Sequence, residues 1–383
     1  MVNWFDLAWL NRKKITIDNT KVAADLNGFP VLISRTDIEL TKARTDGFDF
    51  VFTKDDGITE IPYEREKWDD ATGELIAWVK VDVKDLTDVD IYIYYNNPGQ
   101  PTDKADPTNV WDINYKGVWH LHDDFLDSTS NNNDATNNGS TDIVGKIGNA
   151  QDFDGVNDNI KILHDPSLDF SRLDPFSLSV WIKRASIETG TQGLMGKLTG
   201  VAEQDGYQIL IADATNFFEF RVSSTQGTNT IVVRGKTGTE LDNTLTWYHL
   251  VATYDGSSDA SGTKLYVNGI EIAATIVTNT LTGNINNIQK AQIGTFRSNL
   301  FWFNGIIDEA HISNITRDSN WILTEYNNQN SPSTFVAFGP EVSHGTKFFS
   351  LDAILQNIFT KTFSLDAILQ QVKTKTFSLD ALL

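Results

Sequence analysis

Short runs in which apolar and polar residues alternate, or in which β-branched and aromatic residues crowd together, recur along most of the chain. Before residue 96 they are KKITID, FPVLI, FDFVF, LIAWVKVDV and DIYIYYNN. NG, DG and TGE turns bound them, which is the pattern of strands. TKDDGITEIPYE reads as two strands joined at Asp56-Gly57. NNPGQPTDKADPTN (96–109) is a break rich in Pro, Asn and Asp. After it come KGVWHLH, AQDFDG, NIKIL, FSLSVWIKR, GYQILIA, FFEFRVS, TIVVRG, WYHLVATYDG, TKLYVNGIEIA, AQIGTF and IIDEAHIS. Many short strands at even spacing predict a sandwich or jelly roll with almost no helix. The most helix-like segment is RDSNWILTEYNNQ (317–329), where Ile322, Leu323 and Tyr326 share one side, and TFVAFGPEVS is expected to close the domain. The fold class is therefore all-β, with two β-sandwich domains at 1–105 and 106–340 and a tail at 341–383.

The tail has a different pattern. KFFSLDAILQNIFT, KTFSLDAILQQVKT and KTFSLDALL repeat every 14 residues, from Lys347, Lys361 and Lys375. Ser350 is placed to cap a helix whose apolar residues, Leu351, Ile354, Leu355 and Ile358, fall at helical spacing. Phe349 and Ile354 have the spacing of a hydrophobic staple. Short helices are favoured, although Phe-Ser-Leu-Asp-Ala also alternates as a fibre-type β-spiral would. Neither form buries so small a stripe alone. Self-association through 341–383, or a partner, is the expectation.

Composition narrows the function classes. The chain has 383 residues, with 51 acidic against 31 basic side chains and a net charge of −20. That balance argues against a nucleic-acid backbone or an anionic membrane surface as partner. With no cysteine, disulfides, thiolate catalysis and cysteine-ligated metals are excluded. No run approaches the roughly 18 apolar residues of a membrane span. MVNWFDLAWLNRKK carries aromatics and acids where a secretory leader has a basic start and an apolar core. The expectation is a leader already removed, or another route to an extracellular, cell-surface or virion location.

One stretch raises a chemical question. FNGIIDEAHIS (303–313) places Asp308 and Glu309 inside a strand pattern. Simple alternation puts Ile307, Glu309 and His311 on one face and Asp308 with Ile306, Ala310 and Ile312 on the other. An uncompensated carboxylate on that apolar face would cost several kcal/mol.

WLNRKKITIDN, FPVLI, DGFDFVFTKDDGITEIPYE, TGELIAWVKV and IYIYYNNP, in that order, resemble domain-of-unknown-function family 2341 (DUF2341) over roughly residues 5–105. GVWHLHDD, DSTSNNND, GKIGNAQDFDG, FSLSVWIK, WYHLVATYDG, LYVNGIEI and FNGIIDEAHISN resemble the concanavalin A-like, laminin-G-like jelly rolls over roughly residues 112–330. The second resemblance implies two antiparallel sheets and a role in binding glycans or proteins. It also implies a structural Ca2+, with Asp308 at the position of the family's ligand and oxygens near Asp123 and at Gly155 completing the set. The alternative is that Asp308 is satisfied by backbone amides or a buried water. Glycan contacts are expected from aromatics near the rim, with Trp302, Phe303 and Phe218 as candidates.

Catalytic patterns are weak. The paired strand carboxylates of a laminarinase-type hydrolase are not found in 112–340. Glu60, Glu64 and Glu66 alternate in TEIPYERE and read as a solvated edge strand. TKDDGIT matches most of one Asp-box turn, which is a hairpin element and not a catalytic one. The His120-Leu121-His122 pair could ligate a metal, but ordinary burial is the favoured reading. The chain is expected to be a non-enzyme that binds a glycan or cell-surface ligand. Alternatives are a viral or phage fibre component assembled by the tail, or an accessory domain of a glycan-degrading system.

Overall fold

The computed structural model describes residues 3–187, 190–198, 205–212, 216–225, 228–236, 241–295 and 301–344. The tail repeats, from Lys347 onward, lie outside the described residues. Two sandwiches account for the rest, and both belong to one compact unit that ends at Glu341.

The first sandwich pairs a five-stranded sheet with a three-stranded one. In the larger sheet the order is Val336–Ser343, Asn11–Ile17, Val89–Tyr95, Val51–Lys54, Glu60–Ile61. The Asp56-Gly57 hairpin forms as expected: Gly57 takes φ +75°, and Asp56 accepts from the amides of Ile58 and Thr59. The smaller sheet runs Leu26–Thr36, Glu74–Val83, Tyr63–Asp69. Its Phe29, Val31, Leu32, Ile33, Ile76, Ala77, Trp78 and Val79 are all buried, on both faces of the sheet. A strand buried on both faces reads as a continuous apolar run, which is how FPVLI appears in the sequence.

The second sandwich has two sheets of eight strands. In one, Asn304–Ser313 lies between Phe176–Arg184 on one side and Asn149–Asp154 and Tyr115–Trp119 on the other. The opposing sheet carries Gly206–Ala212 and Phe217–Thr225 near its centre. One apolar cluster from Trp119 to Ile312 fills the space between them.

Two segments differ from the sequence reading. TFVAFGPEVS does not close the second sandwich: as Val336–Ser343 it becomes the edge strand of the first. The predicted helix forms as Ser319–Asn330, capped by Asp318, which accepts from the amides of Asn320 and Trp321. Of the side shared by Ile322, Leu323 and Tyr326, only Ile322 is buried. Trp321, Thr324, Glu325, Asn328 and Gln329 are buried with it, because the helix fills the junction of the two sandwiches and meets polar partners there. Asn328 grips the backbone of Leu32, accepting from its N–H at 2.6 Å and donating to its C=O at 3.0 Å. Gln329 accepts from Trp181 Nε1 at 2.5 Å.

Candidate functional site

The Asn304–Ser313 strand is not regular. Ser179 pairs with His311 and Trp181 with Asp308, so two residues, Glu309 and Ala310, face one, Val180. The extra residue is Glu309, held at φ +49°, an uncommon conformation for a residue with a side chain. The bulge resets the alternation. Ile307, Ala310 and Ile312 point into the second sandwich's core, while Asp308, Glu309 and His311 turn to the face covered by the first sandwich. Asp308 is thus not on the apolar side that simple alternation gave it.

At the junction Asp308 Oδ2 accepts from the amides of Lys146 (2.8 Å) and Ile147 (2.9 Å), pinning the Gly145–Gly148 turn. A Cβ on Gly145 would stand 2.6 Å from that oxygen, which accounts for the glycine in GKIG. Burial and the neighbouring Glu309 charge push the Asp308 carboxyl well up, against the two amides.

Beside it runs a buried chain of alternating carboxylates and imidazoles. His120 Nε2 is 3.3 Å from Glu64 Oε2, and His120 Nδ1 is 2.9 Å from both oxygens of Glu309. Glu309 Oε2 meets His311 Nε2 at 3.0 Å. His311 Nδ1 is 3.5 Å from Glu325, and Glu325 is 3.8 Å from His249, which pairs with Ser179 Oγ at 2.9 Å. Glu66 Oε2 lies 3.7 Å from His120 Nδ1. Burial alone would lower His120, but Glu309, Glu64 and Glu66 hold it well above the usual imidazole value. His311 is raised for the same reason by Glu309 and Glu325. Glu309 and Glu325 are held low despite burial, Glu309 by His120 and His311 and Glu325 by His311, His249 and Arg317. Glu66, less compensated, is pushed up to about 8 by burial, and His249 is driven down to about 4.

Indole groups fix this chain in place. Trp78 stacks on His120 at 5.4 Å and donates to Glu66 Oε2 at 2.8 Å. Trp111 donates to Glu64 Oε2 at 2.7 Å, and Ser128 Oγ donates to Glu64 Oε1 at 2.6 Å. Glu64 and Glu66 are therefore not on a solvated edge: the Glu66 side chain is 2% exposed. Their strand faces the second sandwich, which supplies the imidazoles that compensate them.

The expected calcium set does not converge on one ion. The Asp123 side chain is 67% exposed and is occupied by His122 and Asn149. Gln151 pairs with Ile307 and Asp154 with Asn304; Gly155 therefore lies about five residues, or ~16 Å, along the ladder from Asp308. Asp308 gives its Oδ2 to two backbone amides, while its Oδ1 is buried without a hydrogen-bond partner among the described residues. Of the aromatic candidates, Phe303 and Phe218 are core residues, with Phe303 edge-on to Phe153. Trp302 alone is half-exposed. It lines a groove of about 430 Å³ with Asp154, Val156, Gln192, Phe301 and Asn304. Gln192 Oε1 is buried there without a hydrogen-bond partner among the described residues. A larger cleft, about 550 Å³, lies on the first sandwich and mixes lysines and aspartates over Ile61, Val81 and Ile91, with no aromatic in its lining.

Residues 153–323 match the model of the concanavalin A-like lectin/glucanases superfamily. The second sandwich is a concanavalin A-like domain. Residues 46–140 match the domain of unknown function DUF2341. No curated protein matches the chain. Among solved structures, the binding domain of Paraclostridial Mosquitocidal Protein 1 is 17% identical, with a TM-score of 0.42 over 56% of this chain and 52% of that one. Domain 4 of an extracellular arabinanase from Geobacillus stearothermophilus, in complex with arabinotriose, is 21% identical, with a TM-score of 0.40 over 56% of this chain and 98% of that one. The receptor binding domain of botulinum neurotoxin C/D mosaic serotype is 13% identical, with a TM-score of 0.43, covering 56% and 51%. The chain spans about half the length of the two toxin domains. Among the described residues no helix is long and apolar enough to cross a membrane.

Proposed function

We propose that the chain is a non-catalytic, extracellular or surface-displayed binding protein whose concanavalin A-like domain docks a glycan in the groove beside Trp302. The observation that carries this reading is the pairing of a half-exposed indole with an unpartnered buried acceptor, Gln192 Oε1, in one groove. A sugar presents an apolar ring face to stack on the indole and hydroxyls to donate to the amide and to Asp154. The groove's volume falls within the range of small-ligand sites. The cleft on the first sandwich offers charge without an aromatic platform, so it fits a pyranose less well.

The test is a glycan array probed with the full chain, followed by titration of the best hit into Trp302→Ala. Saturable binding that weakens at least tenfold in the variant is the expected result. Unchanged affinity in a folded variant refutes the site. A blank array with folded protein refutes the glycan reading and shifts the function to a fibre or protein-binding component assembled through 341–383.

A further inference from the structure

We propose that Glu66, His120 and Glu309 form a binding site for one first-row transition-metal dication, of the zinc or manganese type, at the junction of the two sandwiches. One ligand atom from each of the three lies within 4.8 Å of the others. The separations from His120 Nδ1, 2.9 Å to Glu309 and 3.7 Å to Glu66, bracket what a shared ion needs. Donors each about 2.1 Å from one ion stand roughly 3.0 Å apart as octahedral neighbours and roughly 3.4 Å apart as tetrahedral ones. The two separations from His120 thus lie within a few tenths of an ångström of those values, and the carboxylates of Glu66 and Glu309 would draw together around the ion from within 4.8 Å.

An independent observation points the same way. Glu66 Oε1 is buried and has no hydrogen-bond partner among the described residues, on a side chain 2% exposed. A carboxylate oxygen in that state costs folding free energy unless a ligand occupies it. Gly148 lets the turn pass close to that oxygen, since a Cβ there would stand 2.9 Å from Glu66 Oε1 and 2.8 Å from the His122 ring.

Each ligand is also aimed by a neighbour that does not itself belong to the triad. Glu64 Oε2 lies 3.3 Å from His120 Nε2, so Nδ1, which pairs with Glu309, is the nitrogen that would take the ion. Trp78 holds Glu66 and His311 holds Glu309. Two carboxylates cancel the charge of a dication, with the imidazole neutral. A nitrogen donor and few oxygens favour zinc or manganese over calcium, which takes six to eight oxygens. Access is provided by an adjoining groove of about 330 Å³, whose lining includes Asp123, Asp124, Asp127 and Asp134, a field that concentrates cations. This site is separate from the Trp302 groove and does not depend on what binds there.

The experiment uses the full chain, stripped with chelator and titrated calorimetrically with ZnCl2, MnCl2 and CaCl2, with bound metal counted by mass spectrometry. One equivalent of zinc or manganese is expected. Affinity should fall at least tenfold in Glu66→Gln and in His120→Asn and less than threefold in the groove variant Asp123→Asn/Asp124→Asn. Absent uptake, a preference for calcium, or loss confined to the groove variant overturns the proposal. Should the two ligand variants fail to fold, X-ray absorption on the metal-loaded wild type decides. One imidazole in an otherwise oxygen shell supports the site, and any other shell overturns it.

Discussion

Asn328 makes the most quantitative prediction about how the two sandwiches are joined. Leu26–Thr36 is an edge strand of the three-stranded sheet, so the N–H and C=O of Leu32 point away from its neighbour. The Asn328 amide pairs with both, at 2.6 and 3.0 Å, and stands in for the missing strand. Leu32 and Asn328 are fully buried. Removing the amide loses two hydrogen bonds, each worth about 1 kcal/mol net. It also strands a buried donor and a buried acceptor, which raises the total to about 2–5 kcal/mol. Asn328→Ala leaves room for a water and should fall at the low end. Asn328→Leu keeps the branched shape, is somewhat larger, excludes water and should fall at the high end. Equilibrium urea unfolding followed by tryptophan fluorescence measures both. A loss below about 1 kcal/mol in the Leu variant would show that the amide is not what closes this edge.

Two further predictions concern other parts of the fold. Asp112 accepts from both terminal nitrogens of Arg317, at 3.0 and 3.1 Å. Burial raises its carboxyl, but Arg317 outweighs that and holds it below the usual value. A depressed folded value gives stability that is present above the unfolded pKa of about 4 and lost as pH falls through the folded one. The gap in urea midpoint between wild type and Asp112→Asn should therefore be constant from pH 7 to 5 and shrink below about pH 4; a gap unchanged at pH 3 refutes the pairing. Gly294 has φ +81°, and a Cβ there would lie 2.2 Å from the Phe153 ring. Gly294→Ala should cost about 2–4 kcal/mol from left-handed strain and overpacking, and a near-neutral thermal unfolding curve would contradict it.

The strands, their hairpins and the Ser319–Asn330 helix were legible because each follows a local period of two or a capped 3.6-residue pattern. The charged chain at the junction was not, although its signal is visible in retrospect. Glu64 and Glu66, and Glu309 and His311, are pairs two residues apart, and His120 comes from a third segment distant in sequence. Singly, each pair reads as a polar strand face. Only packing one sandwich on the other makes those faces interior. The Glu309 bulge was hidden for a second reason: a left-handed glutamate leaves no glycine or asparagine to mark it, and without the bulge the alternation assigns Asp308 to the wrong face. Asp123 and Gly155 were placed by resemblance, and the strand register separates Gly155 from Asp308.

The return of Val336–Ser343 to the first sandwich sets where the molecule would bear force. The Asp18 amide donates to Phe335 O at 3.0 Å and a Gly339 Cβ would meet Lys14, so this strand runs antiparallel to Asn11–Ile17. Tyr95, paired with Asn11, donates to Glu341 at 2.7 Å, which puts Asn11 and Glu341 at the same end of the sheet. Tension applied before Asn11 and after Glu341 would peel this ladder open one rung at a time. The whole concanavalin A-like domain lies in the loop between those two strands, off the line of pull. A ligand held there would stay on an unloaded domain until the first sandwich had begun to unzip.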